Sequence, residues 1–401
     1  MESPHLPRNR TIGPPGRAVS RPSGTLVVVN LVGGLDGLSV VVPHGDPAYA
    51  ARRPGLAVAA PGERYGAIDL GRGLGLHPSL APLQNCVGRS ERLAFIGGVG
   101  VPDRQGGDRN HLPCREFLHR GGRGQTEGWA ARLLRFEELN GDATWSFGDG
   151  PHPVFEGLHP EASAPTKRVS VGRRHDQGRA DWGHSESNGE NELDATGPVT
   201  HGSAVRWSDT DWSSPAARLS RGYPEGRLGR SLAATADRIR EDRGLRIVAI
   251  DHPGYDTHVD QGDGRSGVLA HRLDRLSRAL VAFWGDILAG RERAADDNRT
   301  GQPNPVTVVV VSEFGRAIEE NGSGGTEHGR GGVAFALGDQ VVGGIHGDFP
   351  SVAHGEVLPV TVDIRRVIAD AAASHGFRPW RGGIFPRLAL PNRSLGLLLS
   401  P

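Results

Sequence analysis

Apolar residues in this chain fall into short continuous runs, separated by long polar and glycine-rich stretches. Thr25-Leu26-Val27-Val28-Val29-Asn30-Leu31-Val32 is the first run, closed by Gly33 and Gly34. A continuous apolar run of strand length, without polar alternation, marks a strand covered on both faces. Leu93 to Ile96, Leu245 to Ile250 and Val306 to Val311 repeat the pattern. Val333 to Leu337 and Gln340 to Ile345 read as a late hairpin or a pair of strands, and Leu38 to Val42 as an extended or helical stretch stopped by Pro43. Between these runs the period changes to 3.6. From Val268 to Leu288 the apolar positions Leu269, Leu273, Leu276, Leu280, Phe283, Trp284 and Ile287 define one face of a helix, with Arg272, Arg275 and Arg278 on its wet side. Trp129 to Leu139, Ser231 to Glu241 and Asp363 to His375 read as further helices. Strands alternating with helices predict an α/β fold: a doubly wound, mostly parallel sheet with helices on both faces.

The pattern also sets the domain organisation. Residues 1–24, rich in arginine and proline, read as a disordered arm, and 25–401 as a single domain. From about Asn140 to Gly229 periodicity fades into Gly, Ser, Asp, Arg and His, which predicts a partly irregular insertion capping the sheet edge. Hydrophobic residues are only 36% of the 401, and 60 glycines and 29 prolines dilute the core with loops.

Lys+Arg and Asp+Glu balance at 46 each, so nothing global favours nucleic acid or an anionic membrane. Lys167 is the only lysine, so the arginine excess reads as coding bias rather than as a basic surface. Two cysteines, Cys86 and Cys114, allow one bridge at most and no cysteine-rich zinc site. No apolar run approaches the roughly 20 residues that span a bilayer. The first residues lack the apolar segment of a secretory signal, which makes a cytoplasmic location the default expectation.

Chemistry collects just behind the apolar runs. Gly254-Tyr255-Asp256-Thr257-His258 follows the Leu245 run, with Asp251 and His252 upstream as supporting partners. Asp256 and His258 point the same way in extended backbone, and a divalent cation accepts both donor types. The bland alternative is a turn with a surface histidine. Glu313 follows the Val306 run as a ligand or as a carboxylate paired with Arg316, whose guanidinium also suits a phosphate or sulfate anion. Asn321 to Gly332 is a glycine-rich loop carrying Glu327 and His328; it lacks the spacing of a P-loop. Asp36 follows Gly33-Gly34 as a ligand or a turn former. Arg109-Asn110-His111 follows the Leu93 strand, and His111 is a candidate ligand, acid or base. Together these predict a metal site at the carboxyl edge of the sheet.

The same residues resemble a known family, the bacterial domain of unknown function numbered 1501. The resemblance is carried by Leu31-Val32-Gly33-Gly34-Leu35-Asp36-Gly37-Leu38, Val42-Pro43, Asp46-Pro47-Ala48-Tyr49, and Leu74-Gly75-Leu76-His77-Pro78-Ser79-Leu80. Gly254 to His258, Ser312-Glu313-Phe314-Gly315-Arg316, Gly324 to Gly329 and Gly347-Asp348-Phe349-Pro350 continue it in family order. That family is grouped with the alkaline-phosphatase and sulfatase superfamily. The resemblance therefore implies an alkaline-phosphatase-like fold and hydrolysis of phosphate or sulfate esters. It also implies one or two divalent cations (zinc, manganese, calcium or magnesium), held by Asp36, Asp256, His258, Glu313, Glu327 and His328. His111 and Arg316 would be catalytic, and the partner a small anionic ester or glycan-type substrate. Relatives are often exported by the twin-arginine route. The chain departs from the family where Asn110-His111-Leu112-Pro113 replaces Ser-His-Phe-Asp, where Glu327 replaces Asp, and where Val32 replaces Arg. Those departures remove an obvious nucleophile and keep open a non-catalytic binding protein on the same fold, or a metal of purely structural use.

Overall fold

A computed structural model of the chain describes residues 22–88, 91–103, 109–139, 143–147, 152–158, 198–199, 215–241, 244–296, 304–381, 383–388 and 395–396. Its centre is a sheet of nine strands among these residues. The main path runs Gly344–Gly347, Leu93–Gly100, Gly332–Gly338, Val306–Val311, Thr25–Val32, Ile247–Pro253, Thr144–Phe147 and Pro198–Val199, and Val362–Asp363 pairs with Leu93–Gly100. Thr25–Val32 lies in the middle, parallel to both neighbours, with Asn30 opposite Asp251 on one side and Val311 on the other. Gly332–Gly338 is antiparallel to its two neighbours, and Pro198–Val199 is antiparallel to Thr144–Phe147. The sheet is mostly parallel, as the apolar runs predict.

Each face is covered, which is why the strands are apolar throughout. Val27, Val29 and Leu31 pack with the helices Arg227–Arg240 and Val268–Asp296. Leu26 and Val28 face the opposite core, with His111–Arg120, Trp129–Phe136 and Ile364–Ser374. Each such side chain withdrawn from water contributes about 1.5–3 kcal/mol before the entropy of ordering it.

Three expectations are revised. Val333–Leu337 and the segment after it do not form a hairpin, because Leu93–Gly100 lies between Gly332–Gly338 and Gly344–Gly347 and uses both edges. The N-terminal arm does not extend to residue 24. The Ser23 amide already donates to the His375 carbonyl at 2.9 Å, and residues 1–21 lie outside the description. The polar middle is not all insertion: Thr144–Phe147 is a sheet strand that buries Trp145 and Phe147, and Arg227 already begins a core helix. Residues 159–197 and 200–214, where the insertion is most polar, lie outside the description. Cys86 and Cys114 are both free thiols.

Candidate metal centre

The parallel strands present their carboxyl ends to one edge, and the ligand-type side chains gather there. Asp256 and His258 follow Ile247–Pro253, Glu313 follows Val306–Val311, and His328 ends the short strand Thr326–His328. His111 enters from the first turn of the helix His111–Arg120. Asn110 caps that helix by accepting the Leu112 amide, and Gly121, in left-handed backbone, ends it.

Donor atoms of His111, Asp256 and His328 lie within 4.8 Å of one another. Asp256 is the hub. Its Oδ2 is 3.3 Å from His111 Nε2, and its Oδ1 is 3.2 Å from both His258 Nε2 and His328 Nε2. The two Nε2 atoms of His258 and His328 are only 2.9 Å apart.

The other ring nitrogens fix the tautomers. His328 Nδ1 lies 2.7 Å from the Arg109 carbonyl, which can only accept, so Nδ1 carries the proton. His111 Nδ1 lies 2.9 Å from Glu313 Oε1, an oxygen that already accepts the Gly33 amide at 3.0 Å. His258 Nδ1 lies 3.2 Å from Glu327 Oε2, while Glu327 Oε1 accepts from Asn321 Nδ2 at 2.8 Å. Each imidazole thus has its Nδ1 beside an acceptor and turns its Nε2 towards Asp256. Acceptors behind metal-binding histidines have this arrangement. Two lone pairs 2.9 Å apart repel unless a cation or a proton lies between them.

The electrostatics agree. Burial would raise Asp256, but the Arg316 guanidinium and the nearby imidazoles draw it below the ordinary carboxylate value. Burial, with Arg316 and His111 nearby, lowers His328, which keeps its lone pair available at neutral pH. The bond to Glu313 raises His111. The Asn321 bond holds Glu327 low, so it remains an acceptor for His258.

The remaining candidates sit around this centre in other capacities. Arg316 is fully buried and committed. Its Nε donates to the Gly34 carbonyl at 2.8 Å and its Nη1 to the Thr326 carbonyl at 2.9 Å. Its Nη2 donates to the Gly33 and Tyr255 carbonyls and to Asp256. With its guanidinium fully buried and donating to five acceptors, Arg316 is placed as a clamp on Asp256 rather than as an open anion site. Glu313 also acts behind a ligand: it is fully buried, orients His111, and its Oε2 has no partner. Asp36 lies outside the cluster. Its carboxylate is bound by Arg53 through both terminal nitrogens and by Ser39 and Gln261. Burial pushes Asp36 up, but Arg53 brings it below its usual range. A buried carboxylate neutralised by a guanidinium is an anchor of the fold rather than a donor to a cation. Asp251 and His252 do not support Asp256 either. Asp251 turns to Asn30, His119 and His152, and His252 stacks edge-on against Tyr255.

Sequence reasoning missed Arg53, Gln261 and the Arg109 carbonyl. None carries a local signal, because each acts through a partner far along the chain. Nucleophile candidates are also accounted for. Thr257 is buried and donates to Gln261 at 2.7 Å, Cys114 is fully buried, and Asn110 is a helix cap.

Residues 224–381 match the model of the family described as "Protein of unknown function (DUF1501)". The match takes in the segments around Asp256, Glu313 and His328 and supports that family. No curated protein matches the chain. Among the described residues no helix is long and apolar enough to cross a membrane.

Proposed function

We propose that this chain is a metal-dependent hydrolase of phosphate or sulfate esters, with Asp256, His111, His258 and His328 holding a divalent cation. The observation that carries the metal is the convergence of three Nε2 atoms on one carboxylate, with each opposite Nδ1 beside an acceptor of its own. A mixed nitrogen and oxygen donor set suits zinc or another borderline ion. The partnerless Oε2 of buried Glu313, beside His111, is a further acceptor that such a centre, or water in it, would satisfy. The ester class and the alkaline-phosphatase-like fold rest on the family resemblance and its superfamily.

When bound, such a cation polarises an ester oxygen and lowers the pKa of a coordinated water towards about 7. The chain's own residues do the positioning. Arg316 fixes the hub carboxylate from behind, Glu313 and Glu327 hold two imidazoles in register, and the Arg109 carbonyl holds the third. Because Thr257, Cys114 and Asn110 are engaged elsewhere, attack by water fits better than a covalent enzyme intermediate. The same engagement of Thr257 and burial of Cys114 favours the second reading, a non-catalytic binding protein with a metal on this fold.

Elemental analysis of purified protein, alongside turnover of aryl phosphate and aryl sulfate esters, tests this. The unaltered chain is expected to hold about one equivalent of divalent metal more than Asp256→Ala, which also loses chelator-sensitive turnover. Metal retained without turnover of any ester leaves the binding-protein reading. An unchanged metal content in folded Asp256→Ala would overturn the assignment of the centre.

A further inference from the structure

A second group of donors lies behind the first and takes no part in it. His119 is in the last turn of the same helix that opens with His111. Eight residues separate them, about 12 Å along the axis at 1.5 Å per residue. Asp251 stands near the carboxyl end of Ile247–Pro253, opposite Asn30 of the neighbouring strand. His152 follows the Thr144–Phe147 strand and caps the short turn Pro153–Phe155. The three side chains reach this point from a helix end, a strand end and a loop.

We infer that His119, His152 and Asp251 form a second cation site, suited to a borderline divalent ion such as zinc. Their donor atoms all lie within 4.8 Å of one another. Asp251 Oδ1 is 3.2 Å from His152 Nε2 and 3.9 Å from His119 Nε2, separations that fit ligands about 2.0–2.2 Å from one central ion. Both histidines are more than nine-tenths buried, at 7% and 6% exposure; His119 Nε2 has no hydrogen-bond partner, and His152 Nε2 faces Asp251 Oδ1. A partnerless, buried imidazole nitrogen beside a carboxylate and a second imidazole is costly unless something occupies the space between them. Asn30 is placed to orient the carboxylate: its Nδ2 donates to Asp251 Oδ1 at 3.0 Å, and its own Oδ1 is buried and partnerless. The Asp251 side chain is 31% exposed, which leaves an entry path.

Charge and protonation are compatible with a cation. Burial, with His152 nearby, pushes His119 down to about 4, so its ring is neutral at physiological pH despite Asp251; Arg115 and Arg120 act in the same direction. Burial would raise Asp251, but His152, His119 and Asn30 hold it far below the usual carboxylate range, so it is ionised. In the metal-free state the Val154 amide donates to His152 Nδ1 at 3.3 Å, which leaves the His152 proton on Nε2. Coordination through Nε2 moves that proton and gives up this long cap bond. Loading at neutral pH therefore releases no net proton, because His152 keeps its single proton on Nδ1 while His119 is already neutral and Asp251 already ionised.

Cobalt(II) and zinc titrations of the full chain, compared with Asp256→Ala, test the site independently of the first centre. Asp256→Ala is expected to keep about one equivalent, and adding His119→Asn or Asp251→Asn to remove it. Loss of all metal from a folded Asp256→Ala protein would overturn the proposal, as would a retained equivalent indifferent to His119→Asn. One equivalent in the unaltered chain that survives Asp256→Ala but not His119→Asn would uphold this site while sinking the first. If the His119 variants do not fold, X-ray absorption of zinc-loaded Asp256→Ala reads the ligands directly. Two imidazoles with oxygen are expected; a set with fewer than two imidazoles would overturn the proposal.

Discussion

At the scale of single residues, two carboxylates that read alike in sequence have opposite surroundings. Asp36 and Asp256 each follow an apolar strand and a glycine. Asp36 is 1% exposed and neutralised by Arg53, whereas the Asp256 side chain is 45% exposed and turned to three imidazoles. Asp36→Ala strands a buried guanidinium, a loss of about 3–5 kcal/mol. Its thermal midpoint should fall sharply while the folded fraction keeps its metal, the reverse of Asp256→Ala. Calorimetry with elemental analysis of both variants checks this, and loss of metal from folded Asp36→Ala would return Asp36 to the ligand set. Neither carboxylate's fate was legible locally, because Arg53 bears no mark of its role and the Asp256 partners come from three other segments.

At the scale of elements, the sequence located the strand ends but not how closely their loops meet. Gly33 ends the central strand with φ +125°, a conformation that favours glycine, and a Cβ there would lie 2.3 Å from the Asp256 amide. The Gly33 amide also donates to Glu313, and its carbonyl accepts from Arg316. One residue thus spaces the hub carboxylate, its clamp and the support of His111. Gly33→Ala should cost more than about 1 kcal/mol and also displace Asp256, so that metal affinity falls alongside stability. A chelator-competition titration of the folded variant measures the second effect; unchanged affinity would mean that the loop yields without moving Asp256. The glycine pair was visible as a strand terminator, whereas the contact it permits joins loops more than 200 residues apart.

At the scale of the whole molecule, burial of histidines sets the response to acid. His77 and His375 are both 1% exposed, and burial pushes each down to about 4 from an ordinary value of 6.5. Between pH 6.5 and 4 the unfolded chain takes up protons that the folded chain refuses. Stability therefore falls as pH drops through that window, by on the order of 3 kcal/mol per histidine at its acid end. Melting of chelator-treated protein across pH 7 to 4 should show the decline, and His77→Gln with His375→Gln should flatten it if the doubly substituted chain folds. An equally steep decline in that variant would assign the acid sensitivity to other groups.

The sequence by itself determined the α/β class, the order of apolar strands and helices, and the end of the sheet where the chemistry collects. Those properties follow from local hydrophobic period and from the loops a parallel sheet must place at its strand ends. The tertiary structure decided which donors meet. His111 and Glu313 are 202 residues apart in sequence and 2.9 Å apart in space. Their pairing fixes a tautomer, and a tautomer depends on the partner of the far ring nitrogen, which no spacing along the chain encodes. Arg316 illustrates the same limit. In sequence it is a partner for Glu313 or a cation suited to an anion, and in the fold its guanidinium is buried and bonded to the backbone and Asp256. The His119–His152–Asp251 group went unread because its members have no common motif. They come together only because a helix end, a strand end and a loop share one buried corner.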